Sequence, residues 1–351
     1  MELISPLVFT FLTSFICIRF GKPVAVRLGL VDNPNARKVH TGSIPLVGGI
    51  AIFIGVLIAS MVYIPKSQEL NLYLIAAALI VFIGVLDDFY DLPVKPRIVA
   101  QILVASMMIF GANLYLDNLG DLFGFGEIRL NFFGTVFTII AVVGAINAFN
   151  MVDGIDGLAG MLSMIAFSSL AYLLSANQNE WFLLPVLFIA AISAYLMFNL
   201  GWPSSKLNKI FMGDAGSMLI GLTVVWLLVV GTQSEQQAFK PVTALWLIAI
   251  PLMDMVAIML RRVKKGQSPF KPDRDHLHHI FLRAGFSSKQ TLALISCISI
   301  ALTCFGIVLE YINTPEWFVL SLFILVFIVY IYALNYIWRL LTFFRKLSKS
   351  E

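Results

Sequence analysis

Residues 70–91 read LNLYLIAAALIVFIGVLDDFYD: an uncharged, apolar run as far as Leu86, then three carboxylates in five residues, Asp87, Asp88 and Asp91. A helix needs about 20 mostly apolar residues to cross the hydrocarbon of a bilayer. This stretch has that length, and its acids stand where the chain would re-enter water. Ten further runs of the same kind lie near 4–20, 45–64, 97–116, 131–149, 157–175, 181–200, 214–231, 241–260, 290–310 and 316–338. They are continuous rather than alternating over about 10 residues, which predicts helices and not a barrel. The expected fold is all-α and polytopic, with about 11 transmembrane helices. No linker, repeat or low-complexity stretch divides residues 1–351, so one domain is expected.

The composition agrees. Of 351 residues 59% are hydrophobic and 13% charged, against about 25% charged in an ordinary soluble domain. A soluble enzyme, a nucleic-acid-binding protein and a disordered chain are excluded. Cys17, Cys297 and Cys304 fall in apolar runs without disulfide or metal-ligand spacing, and they read as small core residues.

The placement of charge gives an orientation. The first run follows Met1-Glu2 and precedes Arg19 and Lys22, so it is not a cleaved signal and puts the N-terminus outside the cytoplasm. Eleven crossings then put the C-terminus inside. Of the 24 Lys and Arg, Lys66, Arg129 and Lys240 fall outside and the remaining 21 inside. The patterned acids, all four histidines and the glycine-rich motifs fall at cytoplasmic ends, on loops 21–44, 87–96, 150–157, 201–214 and 261–289. A multi-pass protein of the bacterial inner membrane, working on its cytoplasmic side, is the expectation.

Those loops carry the chemistry. Three carboxylates at the end of the third run repel each other unless a cation shares them, and Mg2+ takes oxygen ligands, bridging one or two carboxylates to substrate phosphates. Asn147, Asn150, Asp153 and Asp156 recur every third residue, a spacing that keeps them on one face of a helix. Gly154 and Gly157 between them permit a turn and the close approach of a ligand. Phe211-Met212-Gly213-Asp214-Ala215-Gly216-Ser217 opens the eighth run; a helix start attracts phosphate, and Asp214 is either a helix cap or a metal ligand. Arg37, Lys38 and His40 suit phosphate oxygens as well as they suit an ordinary positive-inside loop. Arg261, Arg262, Lys264 and Lys265 precede Asp275-His276-Leu277-His278-His279, where three histidines among many cations read as donors to a phosphorylated substrate. Asp254, inside the ninth run, is expected either to pair with Arg261 or Arg262 or to act directly. Together these groups describe phosphoryl transfer at a membrane surface, with a soluble substrate and a lipid. A transporter would carry its acids near the bilayer midplane, and these lie at the ends.

Four motifs, Asp87–Asp91, Asn150–Gly157, Phe211–Ser217 and His276–His279, in this order and topology, resemble those of the polyprenyl-phosphate N-acetylhexosamine-1-phosphate transferases, and the resemblance covers essentially the whole chain. The resemblance implies transfer of N-acetylglucosamine-1-phosphate from UDP-N-acetylglucosamine to undecaprenyl phosphate in the lipid membrane, with release of UMP, opening O-antigen or enterobacterial common antigen synthesis. It implies Mg2+, with Mn2+ as an alternative ion, held by Asp88 and Asp214. Asp87, Asp88 and Asp156 would be catalytic. Lys38, His40, Asn150, Asp153, Gly154, Asn199, Phe211, Arg262, His276, His278 and His279 would bind substrate, with Phe211 the ring for uracil. Leu277 interrupts the histidine run that the muramyl-pentapeptide branch of the family carries, which favours a simple aminosugar; a teichoic-acid starter shares the chemistry. A homodimer is compatible with all of this.

Overall fold

The computed structural model describes residues 3–33, 42–204, 207–234, 237–268 and 276–347. Thirteen α-helices account for most of them: α1 (Ile4–Leu28), α2 (Gly48–Tyr63), α3 (Gln68–Tyr90), α4 (Val94–Ser106), α5 (Phe132–Val152), α6 (Leu158–Ala176), α7 (Leu183–Leu200), α8 (Gly213–Gln233), α9 (Pro241–Leu247), α10 (Ala249–Lys264), α11 (Leu277–Arg283), α12 (Ser288–Tyr311) and α13 (Glu316–Leu347). Two two-residue strands, β1 (Val31–Asp32) and β2 (Ile44–Pro45), pair antiparallel, with Val31 opposite Pro45 and Asp32 opposite Ile44.

All eleven apolar runs coincide with helices, but not all are plain spans. Among the described residues nine helices are long and apolar enough to cross a membrane, α4 among them because it continues as a π-helical turn to Gly111. The second run is the shorter α2, of 16 residues. The ninth is broken: α9 and α10 meet at 84°. Pro251 explains the break, because a helix running on from α9 would need an N–H that proline lacks and would drive its ring into the carbonyl of Leu247.

The centre of the bundle is α8, whose membrane window is wholly buried. Its first turn is approached at backbone distance from two sides. A Cβ on Gly49 of α2 would overlap the backbone of Gly216, and one on Gly84 of α3 would overlap that of Ala215. In lipid, helices associate by such close packing rather than by escape from water. Gly48 and Gly49 donate backbone hydrogen bonds to Phe211 and Met212 (3.0 and 2.9 Å), and Phe211 donates to Pro45 (3.0 Å). The strand pair and the start of α8 are thus joined.

The cysteines correct an expectation. Cys17 is half-buried, and Cys297 and Cys304 are exposed on α12. An apolar run facing lipid needs no core position, so a small apolar side chain there is no sign of burial. Beyond the other end of α8, the Gln233 side chain accepts from the N–H groups of Asp117 and Asn118 (both 3.0 Å), and Glu310 accepts from the Lys240 N–H and the Thr243 hydroxyl.

Candidate active site

Asp88, in the last turn of α3, is held by the start of α8. Its Oδ1 accepts the N–H of Asp214 at 2.8 Å and its Oδ2 that of Ala215 at 3.3 Å. The unpaired N–H groups and dipole of a helix start favour an anion, and here that anion is the protein's own carboxylate, not the phosphate expected at this turn. Gly213 makes the contact geometrically accessible: its φ is +73°, and a Cβ there would overlap Asp88 Oδ2.

Asp214 lies in the same turn, within electrostatic reach of Asp87 and Asp88. The Asn150 amide donates to Asp214 Oδ1 at 2.6 Å and to Ser217 Oγ at 3.0 Å. Asp87 is buried, and both its oxygens are engaged: Oδ1 accepts the Leu92 N–H (2.8 Å) and Oδ2 pairs with Arg97 of α4 (2.8 Å). Asp91, the third acid of the run, is exposed and adopts the left-handed conformation (φ 50°) that ends α3. The motif therefore divides into a paired acid, a helix-bound acid and a cap.

The every-third pattern of residues 147–156 divides too, because α5 ends at Val152. Asn147 turns its amide to Gln101 Oε1 (2.8 Å) and Val143 O (2.8 Å), away from the carboxylates. Asp153 begins the loop. Desolvation, then the negative charges of Asp214 and Asp156, raise its carboxyl to about 7. Asp156 accepts Lys209 Nζ at 2.7 Å. The same ammonium lies 5.0 Å from the centroid of the Phe211 ring, close enough for a cation–π contact. Asn199 is buried and donates to Ile210 O (2.9 Å), bracing the chain one residue before Phe211.

The histidine segment packs onto the 153–156 loop. A Cβ on Gly154 would overlap the imidazole of His278, so Gly154 is the seat of that ring. Burial, with the nearby His279 and His276, lowers His278 to about 3, which keeps it neutral at physiological pH. Its ring lies 5.7 Å from His276, nearly parallel, and 4.2 Å from His279. Of the two expectations for Asp254, pairing with Arg261 or Arg262 gives way to another partner, His276, whose Nδ1 meets Asp254 Oδ2 at 2.8 Å. The 84° bend turns α10, and with it Asp254, toward the histidine segment. Arg262 is buried near the end of α10. Lys38 and His40 lie outside the described residues.

Two cations that the sequence did not single out complete the group, Arg97 and Lys209. Each is one of a pair of basic residues near a motif, Lys95 and Arg97 in one case and Lys206 and Lys209 in the other, a pattern that the general cytoplasmic excess of Lys and Arg also produces.

Among the described residues no set of three or more His, Cys, Asp or Glu forms a closed metal site. Mg2+ does not require one, since it usually takes one or two carboxylates and completes its shell with water and substrate phosphate. Asp88 and Asp214 are adjacent, supply only oxygen, and stand beside a third acid whose own cation is already engaged. That donor set fits a hard divalent ion.

With this geometry in view, comparison with known proteins assigns the class. Residues 70–232 match the model of glycosyl transferase family 4, and the chain belongs to this family as a membrane-embedded sugar-1-phosphate transferase. Its near relatives narrow the class. It is 46% identical over 345 residues to the undecaprenyl-phosphate alpha-N-acetylglucosaminyl 1-phosphate transferase of Yersinia pestis, covering 98% of this chain and 94% of that protein. It is 47% identical to the protein of the same name from Salmonella typhi over 99% of this chain and 95% of that one. To that of Escherichia coli strain K12 it is 46% identical, over 99% and 94%.

Proposed function

We propose that the protein transfers N-acetylglucosamine-1-phosphate from UDP-N-acetylglucosamine to undecaprenyl phosphate and releases UMP, working at the cytoplasmic face of the bacterial inner membrane. The observation that carries this reading is the convergence of Asp88, Asp214 and Asn150 at the start of α8, next to the loop bearing Asp153 and Asp156. It is the arrangement that a reaction between two phosphate esters requires. A lipid phosphate is already ionised at neutral pH, so the reaction needs little base catalysis; it needs two mutually repelling anions brought into line.

Asp88 and Asp214 would hold Mg2+, or Mn2+ in its place. Bound there, the ion would supply Lewis-acid neutralisation of phosphate charge. Asn150 fixes the rotamer of Asp214. Arg97 keeps the charge of Asp87 compensated. Lys209, on Asp156 and over Phe211, is positioned to meet the nucleotide's phosphates while Phe211 offers its ring to the base. The His276–His279 segment faces the same loop from the other side and would take the diphosphate or sugar. The lipid-linked product would open a surface-polysaccharide pathway of the O-antigen or enterobacterial common antigen type.

The test is to incubate purified protein with undecaprenyl phosphate, Mg2+ and one UDP-sugar at a time. UMP release is expected from UDP-N-acetylglucosamine and not from UDP-N-acetylmuramyl-pentapeptide. The reverse preference would overturn the substrate assignment.

A further inference from the structure

Asp254 is a buried carboxylate outside the Asp88–Asp214 group, and all its contacts lead to one imidazole or steady the carboxylate that holds it. Its Oδ2 meets His276 Nδ1 at 2.8 Å. Its Oδ1 accepts the Leu277 N–H at 3.1 Å and the Tyr330 hydroxyl at 2.9 Å. The side chains of Asp254 and His276 are 2% and 7% exposed. Such a buried acid is costly unless fully hydrogen-bonded, and this one has three donors drawn from the histidine segment and α13. A carboxylate on one ring nitrogen fixes a histidine's orientation and places a proton on that nitrogen. Among the described residues no hydrogen bond reaches the other nitrogen, Nε2, and it is not among the buried polar atoms left without a partner. His276 in turn stacks parallel to His278, whose ring rests on Gly154 beside Asp153.

We propose that Asp254, steadied by Tyr330, is a positioning residue that holds His276 with Nε2 presented to the diphosphate of the bound sugar nucleotide. The proposal rests on the function given above. Held at Nδ1 by the carboxylate, the ring presents Nε2 in a fixed direction, and Nε2–H of the doubly protonated ring would donate to a phosphate oxygen as a charge-assisted hydrogen bond. Asp254 touches no substrate itself. The device also ties α13 to the site through the Tyr330 hydroxyl.

The test is a double-mutant cycle on the full-length protein in detergent, with UMP release as the assay. Asp254→Asn is expected to raise KM for UDP-N-acetylglucosamine about tenfold and to leave KM for undecaprenyl phosphate unchanged. In a His276→Gln background the same substitution should have no further effect, because Asp254 acts through His276. Losses that add in the double variant, or that fall equally on both substrates, would overturn the proposal and leave Asp254 a folding residue. Should Asp254→Asn fail to fold, the cycle is run with Tyr330→Phe, which deletes one oxygen. A two- to threefold rise in KM for the sugar nucleotide that vanishes in the His276→Gln background is then expected, and an additive loss again refutes. Failure of the underlying function is separate: it is seen as a wild-type protein that releases no UMP from UDP-N-acetylglucosamine.

Discussion

Removal of the Arg97 guanidinium isolates the ion pair that compensates the buried Asp87 carboxylate. Arg97 Nη1 lies 2.8 Å from Asp87 Oδ2, with 27% of the Arg97 side chain and 2% of the Asp87 side chain exposed. In Arg97→Gln the Asp87 carboxylate would keep only the Leu92 N–H, with Asp88 and Asp214 as like-charged neighbours. Breaking a fully buried pair from one side costs about 3–5 kcal/mol; with water reaching Arg97 over a quarter of its surface, about 2–3 kcal/mol is expected. At ~2–4 °C per kcal/mol that is a fall of roughly 4–12 °C in thermal unfolding, measured in detergent without metal. Asp87→Asn in the same chain should recover most of the loss, because neither partner is then charged. If the double variant instead loses the sum of the two single losses, Asp87 and Arg97 do not act as a pair and the reasoning fails.

Other perturbations read other parts of the site. Gly213→Ala should abolish turnover, since the turn is left-handed and the methyl group would displace the Asp88 carboxylate; wild-type kcat in that variant would remove Asp88 from the site. Lys209→Met should raise KM for the sugar nucleotide by about tenfold or more with KM for the lipid unchanged, checked by UMP release at saturating undecaprenyl phosphate. Asp153 offers a pH test. Its carboxyl is raised to about 7, so the folded state holds its proton more tightly than the unfolded chain, and the stability this gives is complete below about pH 4 and lost as pH rises through 7. Asp153→Asn should therefore melt increasingly above the wild type between about pH 4 and 7 in metal-free buffer, with the gap level beyond; a gap that shrinks with rising pH would contradict it. Removal of divalent ions with EDTA should stop turnover, Mg2+ or Mn2+ should restore it, and Asp214→Asn should remain inactive with either while folding normally in detergent.

The membrane fold was legible because it follows from scarcity: with 13% charge, each long uncharged run has one place to go. The break between α9 and α10 was less so, since Pro251 sits inside a run apolar enough for a plain span, and only the path of the chain shows that it turns. In the site, Asp88, Asp214, Asn150 and the 153–156 loop could be read from their spacing beside glycines, and the structure brings them together. Asn147 shows where spacing misleads: the pattern continues past the end of α5, and once the helix stops, equal intervals no longer share a face. Arg97 and Lys209 were hidden by the positive-inside bias, which gives any cation near an inner loop a reason to be there. The pairing of Asp254 with His276 spans 22 residues and depends on the bend in the ninth run, which no local pattern carries.

In the proposed reaction a sugar phosphate, and not a sugar, moves to the lipid. UDP-N-acetylglucosamine labelled in its β phosphate, supplied to purified protein with undecaprenyl phosphate and Mg2+, tests this directly. The label is predicted to appear in the lipid fraction in equal amount to the UMP released. Label left in the aqueous phase as UDP would contradict it.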